Sequence, residues 1–168
     1  TPNSRAKPML GDAQIQWLID GLAASRATFK IIAIGSQVLN PFTRFEGYSQ
    51  HSVEKAKLLQ NLVDYKIEGV LFLSGDRHFT ELNKFNIDPW FYPLYDFTSS
   101  PLTSRPASSV EDERDNPFRE KGTLVGDKRS FGLISVGGKD RERYIQLSAV
   151  NVAGQVIWSR TIKATELM

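Results

Sequence analysis

A short apolar run between two glycines constrains this chain more than any other segment. Residues 70–73 are Val, Leu, Phe and Leu. Gly69 precedes the run, and Ser74 and Gly75 follow it. A run of this kind is typical of a strand that is buried on both faces of a sheet. The glycine after it permits a sharp turn, and in open α/β sheets ligands bind beyond the strand ends. The segment therefore predicts a buried strand that delivers the residues after Gly75 into a crevice.

Asp76 and His78 follow that glycine, with Arg77 between them. A carboxylate oxygen and an imidazole nitrogen suit a hard or borderline metal ion. Two ligands do not complete a metal site, and the same residues also serve as turn caps and simple hydrogen-bond partners. Asp76 and His78 are thus candidate metal ligands. Arg77 is either a phosphate contact or a side chain that points to solvent.

The composition excludes several classes of function. The chain has 168 residues, of which 40% are hydrophobic and 24% charged, as expected of one globular domain. Its formal net charge of +2 comes without a Lys or Arg cluster, so there is no electrostatic footprint for nucleic acid. The absence of cysteine excludes disulfides, thiolate metal sites and a Cys nucleophile. No apolar segment approaches the roughly 20 residues that a transmembrane helix needs.

The first half of the chain has the pattern of an α/β fold. Residues 29–34 are expected to form a buried strand, and Ser52 is a candidate N-cap for the second of two helices. The core stripes of the two helices are predicted at Ile15, Leu18, Ile19 and Leu22, and at Ala56, Leu59 and Val63. Because strand, helix and strand 70–74 follow one another, they predict a βαβ unit with parallel strands.

The second half of the chain has the pattern of antiparallel strands. A strand is expected before the polar loop at 98–100, and residues 103–130 are predicted to form one surface loop with a charge cluster at 111–115. Three closing strands are expected at 131–136, 144–151 and 155–162, joined by short turns into an antiparallel meander. The predicted fold class is therefore α/β, a βαβ unit followed by antiparallel strands.

Several polar residues allow two interpretations. Ser74, Asp76 and His78 do not form a serine-hydrolase triad, because a triad gathers distant residues and no G-x-S-x-G elbow is present. Residues 98–100 suit a cleft lining and a strand-ending turn equally well. Glu81 has two candidate roles. It either hydrogen-bonds to the metal ligands from behind or forms an ion pair on the turn. His51 is expected to be an exposed loop residue before a helix, and Trp90 and Tyr92 to be packing residues.

Four motifs in register resemble the carboxyl-terminal half of the PhoD-like alkaline phosphatases, a branch of the metallophosphoesterases. They read MLGxxQxxWL at 9–18, SxATFKII at 25–32, SGDRHFTEL at 74–82 and YDFTSSPL at 95–102. The resemblance implies a two-sheet sandwich with flanking helices and a multi-metal centre at the strand ends. Asp76 and His78 match the late metal-binding motif, whereas Gln37 stands where many relatives place a ligand histidine, so that position receives no assignment.

The resemblance also implies a chemistry and a location. Relatives hydrolyse phosphomonoesters and phosphodiesters, and iron with calcium is the expected metal set, with manganese or zinc as alternatives. The same relatives suggest a secreted or periplasmic protein. Their early metal-binding motifs lie upstream of the segment 9–18, where this chain has no match. Residues 1–168 are therefore expected to be the carboxyl-terminal portion of a single domain, a fragment that is catalytically incomplete without the amino-terminal half.

A second hypothesis belongs to a different class of function. A sheet that lacks its first strands has an unpaired edge, which recruits a partner or drives self-association. The chain would then be a non-catalytic scaffold or interaction module. A metal-independent hydrolase is a distant third hypothesis, because neither a cysteine nor a convincing triad is available.

Overall fold

Two β-sheets packed against each other form the centre of the chain, in a computed structural model that describes residues 7–42, 46–107 and 115–168. The first sheet has the strand order β1-β2-β4-β3 and the second the order β5-β6-β7. Two α-helices flank the first sheet. The elements are α1 (Asp12–Ala24), β1 (Lys30–Ala33), α2 (Ser52–Asp64), β2 (Val70–Ser74), β3 (Glu81–Phe85), β4 (Leu94–Thr98), β5 (Ser130–Gly137), β6 (Tyr144–Asn151) and β7 (Val156–Lys163).

The strand pairing confirms the predicted α/β class. β1 and β2 are parallel and are joined through α2, which is the expected βαβ unit, and β4 continues the parallel set beside β2. β3 was not expected, and it pairs antiparallel with β4. Its sequence hides it because the side chains that it buries include Glu81 and Asn83, so no apolar alternation marks the strand.

β1 differs from the prediction in its burial. The expected strand over 29–34 exists, but it lies at the edge of the sheet, and Ile32 is its one fully buried residue. Ile31 on the opposite face retains 44% of its exposed surface. An apolar run cannot by itself distinguish an edge strand from a central one, because the neighbouring strands are not encoded in it.

The two helices use their apolar residues differently. In α1 the expected stripe is confirmed, with Ile15, Ile19 and Leu22 buried and Leu18 partly buried. In α2 the stripe is rotated from the prediction. Its buried residues lie four apart at Glu54, Leu58 and Leu62, with Leu59 beside them, whereas Ala56 is exposed and Val63 is half-buried. The predicted N-cap, Ser52, is instead the first residue of the helix, and His51 occupies the N-cap position.

The closing strands form the predicted antiparallel meander within about one residue of the expected bounds. Their inner face contacts the first sheet, where the rings of Phe97 and Trp158 meet edge to face with centroids 5.5 Å apart. Gly132 is needed at this contact, since a Cβ there would lie 2.8 Å from a ring carbon of Phe97. No helix in the described ranges is long and apolar enough to cross a membrane.

The segment 103–130 contributes to the interior where it is described. Isolated bridges join Thr80 to Val125 and Asn83 to Arg119, and Val125 is buried. Asn116 is also buried. Most of the predicted charge cluster at 111–115 lies outside the described residues, which resume at position 115.

Glu54 anchors the segment that precedes α1. Its carboxylate accepts backbone hydrogen bonds from Met9, Leu10 and Gly11 at 2.9–3.0 Å, and the Tyr48 hydroxyl donates a fourth at 2.9 Å. Burial by itself would raise the pKa of Glu54, but these four hydrogen bonds outweigh it and hold the pKa below the ordinary value. The carboxylate therefore ties the 9–11 segment to α2.

We expect Glu54→Gln to lower the free energy of unfolding at pH 7 by about 2 kcal/mol, because the amide cannot accept all four bonds. The folded pKa lies below the unfolded value of 4.5, so the contribution of Glu54 is complete above pH 4.5 and is lost as the pH falls through the folded pKa. Urea denaturation at several pH values should show the difference between the two proteins shrinking on acidification. The exposed Glu142→Gln is the control, and equal stability of Glu54→Gln and the wild type would contradict the anchoring role.

Candidate metal centre

The Asp76–His78 turn lies at the carboxyl end of β2, on the side of the sheet predicted for a site. Asp76 and His78 are both exposed, and both have a left-handed backbone, with φ values of 66° and 58°. This region is uncommon for residues other than glycine, and such strain is concentrated at functional sites. The intervening Arg77 is buried. The turn therefore presents its two candidate ligands outward and its arginine inward.

Hydrogen bonds to its main chain from separate segments hold this turn in place. The loops after β1 and β4 and the segment near residue 107 each contribute one or more. The bonds join Gly75 N–H to Gly35 O at 3.2 Å, Ser99 N–H to Ser74 O at 2.9 Å, Ala107 N–H to His78 O at 2.8 Å and Ser100 Oγ to Phe79 O at 3.2 Å. Because these bonds use no side chain of Asp76 or His78, both remain available to a ligand.

Arg77 lies against Phe79, with its guanidinium carbon 5.4 Å from the ring centroid. The Arg77 side chain is thus buried, whereas those of Asp76 and His78 are exposed. The alternative in which Arg77 points to solvent is wrong, because the residue is buried. Its role as a phosphate contact stays a prediction.

Glu81 is the centre of a buried polar network directly behind the turn. One carboxylate oxygen accepts hydrogen bonds from Gln37 Nε2 at 2.7 Å and Asn83 Nδ2 at 2.9 Å. The other oxygen forms an ion pair with Arg119, and Asn116 bonds to Asn83 at 2.6 Å. Of the two sequence interpretations, the ion pair is present, although it lies in the interior rather than on the turn.

Gln37 connects this network to the neighbouring strand. Besides Glu81, its amide nitrogen contacts Thr98 Oγ1 at 2.7 Å, and its oxygen accepts from Asn40 Nδ2 at 3.0 Å. Thr98 in turn shares a 3.0 Å hydroxyl contact with Ser74. Gln37 is completely buried, so it serves as an internal connector at the place where relatives were expected to have a ligand.

Asp96 is a second buried carboxylate beneath the turn. It accepts hydrogen bonds from Val38 N–H, Leu39 N–H and Ser74 Oγ at 2.7–2.9 Å. Burial raises the pKa of Asp96, against the effect of these three bonds, and the charge of Glu81 raises it further. Burial also lowers the pKa of Lys55 to about 8, although the field of Asp96 opposes that change. The carboxyl edge of the sheet therefore holds ionisable groups whose charged forms are disfavoured by burial.

The donor types at the turn fit a metal ion, whereas their number is small. Asp76 offers carboxylate oxygen and His78 imidazole nitrogen, as an iron, manganese or zinc site requires. Within residues 7–42, 46–107 and 115–168, no group of three or more His, Cys, Asp or Glu side chains could hold a metal ion. His51 lies elsewhere, with its Nδ1 2.7 Å from Lys7 O. The turn by itself thus offers two candidate donors.

Sequence reasoning missed the partners that surround Glu81. Arg119 and Asn116 lie in the segment expected to be a surface loop, and their distance along the chain from Glu81 hides the contact. A usable signal was present in residues 81–85, Glu-Leu-Asn-Lys-Phe, which follow the turn without the Gly, Pro or Asn-Gly pattern of a loop.

The sequence pattern of the PhoD-like phosphatase family matches residues 2–140. The chain belongs to the PhoD-like phosphatase family. A comparison with curated proteins gave no match. A solved structure of PhoD is 16% identical and superposes with a TM-score of 0.65. That match covers 98% of this chain and 35% of the PhoD chain, and it shows a shared fold.

We expect Glu81→Gln to lower the free energy of unfolding of this PhoD-like chain by about 3 kcal/mol, because it leaves the charge of Arg119 buried without its carboxylate. Urea denaturation provides the measurement. Asp12→Asn is the matched control, since it removes one carboxylate from the exposed Lys57–Asp12 pair and should cost less than about 1 kcal/mol. Similar losses in the two variants would contradict the role assigned to Glu81.

Proposed function

We propose that this chain supplies Asp76 and His78 to the metal centre of a phosphate-ester hydrolase. The observation that carries the proposal is the turn itself, with two exposed donors on a left-handed backbone held by hydrogen bonds from three segments. Membership of the PhoD-like phosphatase family supports the reaction class. The proposed substrates are phosphomonoesters, phosphodiesters or both.

The proposed chemistry follows from the donor types. Bound metal ions would polarise the phosphate oxygens and lower the pKa of a coordinated water toward neutrality. Asp76 would hold a cation through its anionic oxygen and His78 through a neutral imidazole nitrogen. The buried network behind the turn would keep both residues in place, since such ligands depend on the groups that support them. Arg77 would contact phosphate only where a substrate oxygen reaches its buried guanidinium.

The proposed enzyme is longer than this chain. The chain spans 35% of the solved PhoD chain that it matches, which supports the proposal that residues 1–168 are part of a longer PhoD-like protein. The order of the four motifs that resemble the family is the reason to propose that this part is the carboxyl-terminal one. The amino-terminal half would supply the remaining ligands, and the chain alone would then be catalytically incomplete. The proposed metals are iron with calcium, with manganese or zinc as alternatives, and the proposed location is secreted or periplasmic.

Calorimetric titration with ferric iron, manganese, zinc and calcium tests the metal role. We expect binding to the wild type and a loss of at least about tenfold in affinity in His78→Ala and in Asp76→Asn, because each variant removes a donor. The chain contains two histidines, so His51→Ala is a matched control that should bind like the wild type. Equal affinities of His78→Ala and His51→Ala for a metal that the wild type binds would contradict the role of the turn.

A phosphatase assay on the isolated chain tests its incompleteness. We expect no turnover of p-nitrophenyl phosphate or bis(p-nitrophenyl) phosphate in the presence of the same metals. Robust turnover that disappears in His78→Ala would support the metal role of the turn. It would contradict the proposal that the chain alone is catalytically incomplete.

A specific observation also favours a binding role. The amides of Lys30 and Ile34 bond to the neighbouring strand at 2.7 and 2.9 Å, so the alternate residues Ile31 and Ala33 direct their backbone groups to the outer side. Within the part of the chain that the structure describes, no strand pairs with that side. A groove of about 240 Å³ between α1 and β1 lies beside it. We propose this edge as the surface through which the chain binds a partner or self-associates.

Sedimentation of the isolated chain over a range of concentrations tests the edge. We expect concentration-dependent association that weakens in Ile31→Lys, because the charge opposes burial of the apolar edge. Ile157→Lys is the matched control, since Ile157 is 41% exposed on an edge strand of the second sheet and Ile31 is 44% exposed. Monomeric behaviour at every concentration would count against self-association, as would equal effects of the two substitutions.

A further inference from the structure

An open cleft lies at the opposite end of the first sheet from the Asp76–His78 turn. Its volume is about 470 Å³, and its walls come from the end of α2 and the turn after it, from the segment before β4, and from Met168. Tyr92 fixes one wall, since its hydroxyl donates to Ile67 O at 2.8 Å and accepts from Val70 N–H at 3.2 Å. Val70 begins β2 and the candidate metal turn follows its end, so roughly 15 Å of strand separates the two places.

Three consecutive aromatic residues line this cleft. The rings of Phe91 and Tyr92 lie against each other with centroids 4.3 Å apart. Trp90 beside them is 97% exposed, although its backbone is held by a 2.7 Å hydrogen bond from its N–H to the Asp88 carboxylate. The expectation that Tyr92 packs in the interior is met, whereas Trp90 is not packed into the core. An indole in this position offers its face to a ligand.

The charged side chains around the aromatic residues favour a cation. Glu68 and Asp88 contribute two carboxylates to the lining, and Lys66 contributes one ammonium. No salt bridge joins Lys66 to either acid in the described part of the chain. Two carboxylates against one ammonium give these three lining side chains a net charge of −1, so the cleft favours a cation.

The combination of aromatic faces and carboxylates restricts the ligand class. An anion would meet two like charges, and a neutral apolar molecule would gain nothing from them. A compact, strongly hydrated metal ion would gain little from an indole face. An ammonium ion that carries methyl groups satisfies both parts, because it is attracted to the negative face of the ring and its apolar groups tolerate loss of water.

We propose that this cleft binds a methylated ammonium ion, with the cation against the Trp90 ring and its charge balanced by Glu68 and Asp88. Lys66 competes with the ligand for these carboxylates. The site is separate from the proposed metal centre and does not depend on phosphatase activity.

Choline is the probe, and its neutral isostere 3,3-dimethylbutan-1-ol is the control ligand, because the two differ mainly in the charged nitrogen. Calorimetric titration of the intact chain should show saturable choline binding that is at least about tenfold tighter than binding of the alcohol. We expect Trp90→Ala and Glu68→Gln each to weaken choline binding by about fivefold. Lys66→Gln should tighten it by removing the competing cation.

Trp17→Ala is the matched control variant, since Trp17 is a second tryptophan, 71% exposed, that lies outside the cleft. It should leave choline binding unchanged. Circular dichroism confirms the fold of each variant, and the nearly complete exposure of Trp90 makes its removal harmless to the core. Equal binding of choline and the neutral alcohol, no saturable binding of choline, or equal losses in Trp90→Ala and Trp17→Ala would overturn the proposal. If the cleft instead binds a second copy of the chain, Trp90→Ala will reduce self-association in sedimentation and choline will have no effect. That result would also overturn the proposal.

Discussion

Burial of the Glu81 carboxylate is the constraint on which the carboxyl end of the first sheet depends. A charge in the interior is tolerated only where hydrogen bonds and an opposite charge compensate for lost hydration. Here the compensating groups come from the loop after β1 through Gln37 and from the distant segment that carries Arg119. None of these segments can be placed alone, because each would leave a polar group of another unsatisfied. The network therefore couples the loops that converge on one edge of the sheet.

This coupled edge supports a turn whose shape is set by its main chain. The backbone of Gly75 and His78 bonds to neighbouring loops, so the path of the turn does not depend on the two exposed side chains. A site built in this way separates two tasks. Buried groups such as Glu81 and Asp96 maintain geometry, whereas Asp76 and His78 are available for chemistry. Such rigid support is what a precise ligand arrangement requires.

The extent of prediction from sequence follows the range of the interactions involved. β2 and the closing strands were predicted because their apolar residues and turn glycines act over a few positions. β3 and the burial of β1 were not, since they depend on which strands are neighbours. In α2 the buried face was misplaced because Glu54 shares it with Leu58 and Leu62, and its burial follows from contacts far along the chain. The turn was identified from local residues, whereas the network behind it joins positions 37, 81 and 119.

The anchor at Glu54 has a consequence for sequence variation. It binds the amides of residues 9–11, and every amino acid except proline carries the same amide. The identities of the side chains at 9 and 10 are therefore not read by this contact. Gly11 differs, because its φ of 83° favours glycine. This contact therefore excludes proline at 9 and 10 without selecting the side chains there, whereas a change at 11 or 54 alters the path of the chain itself.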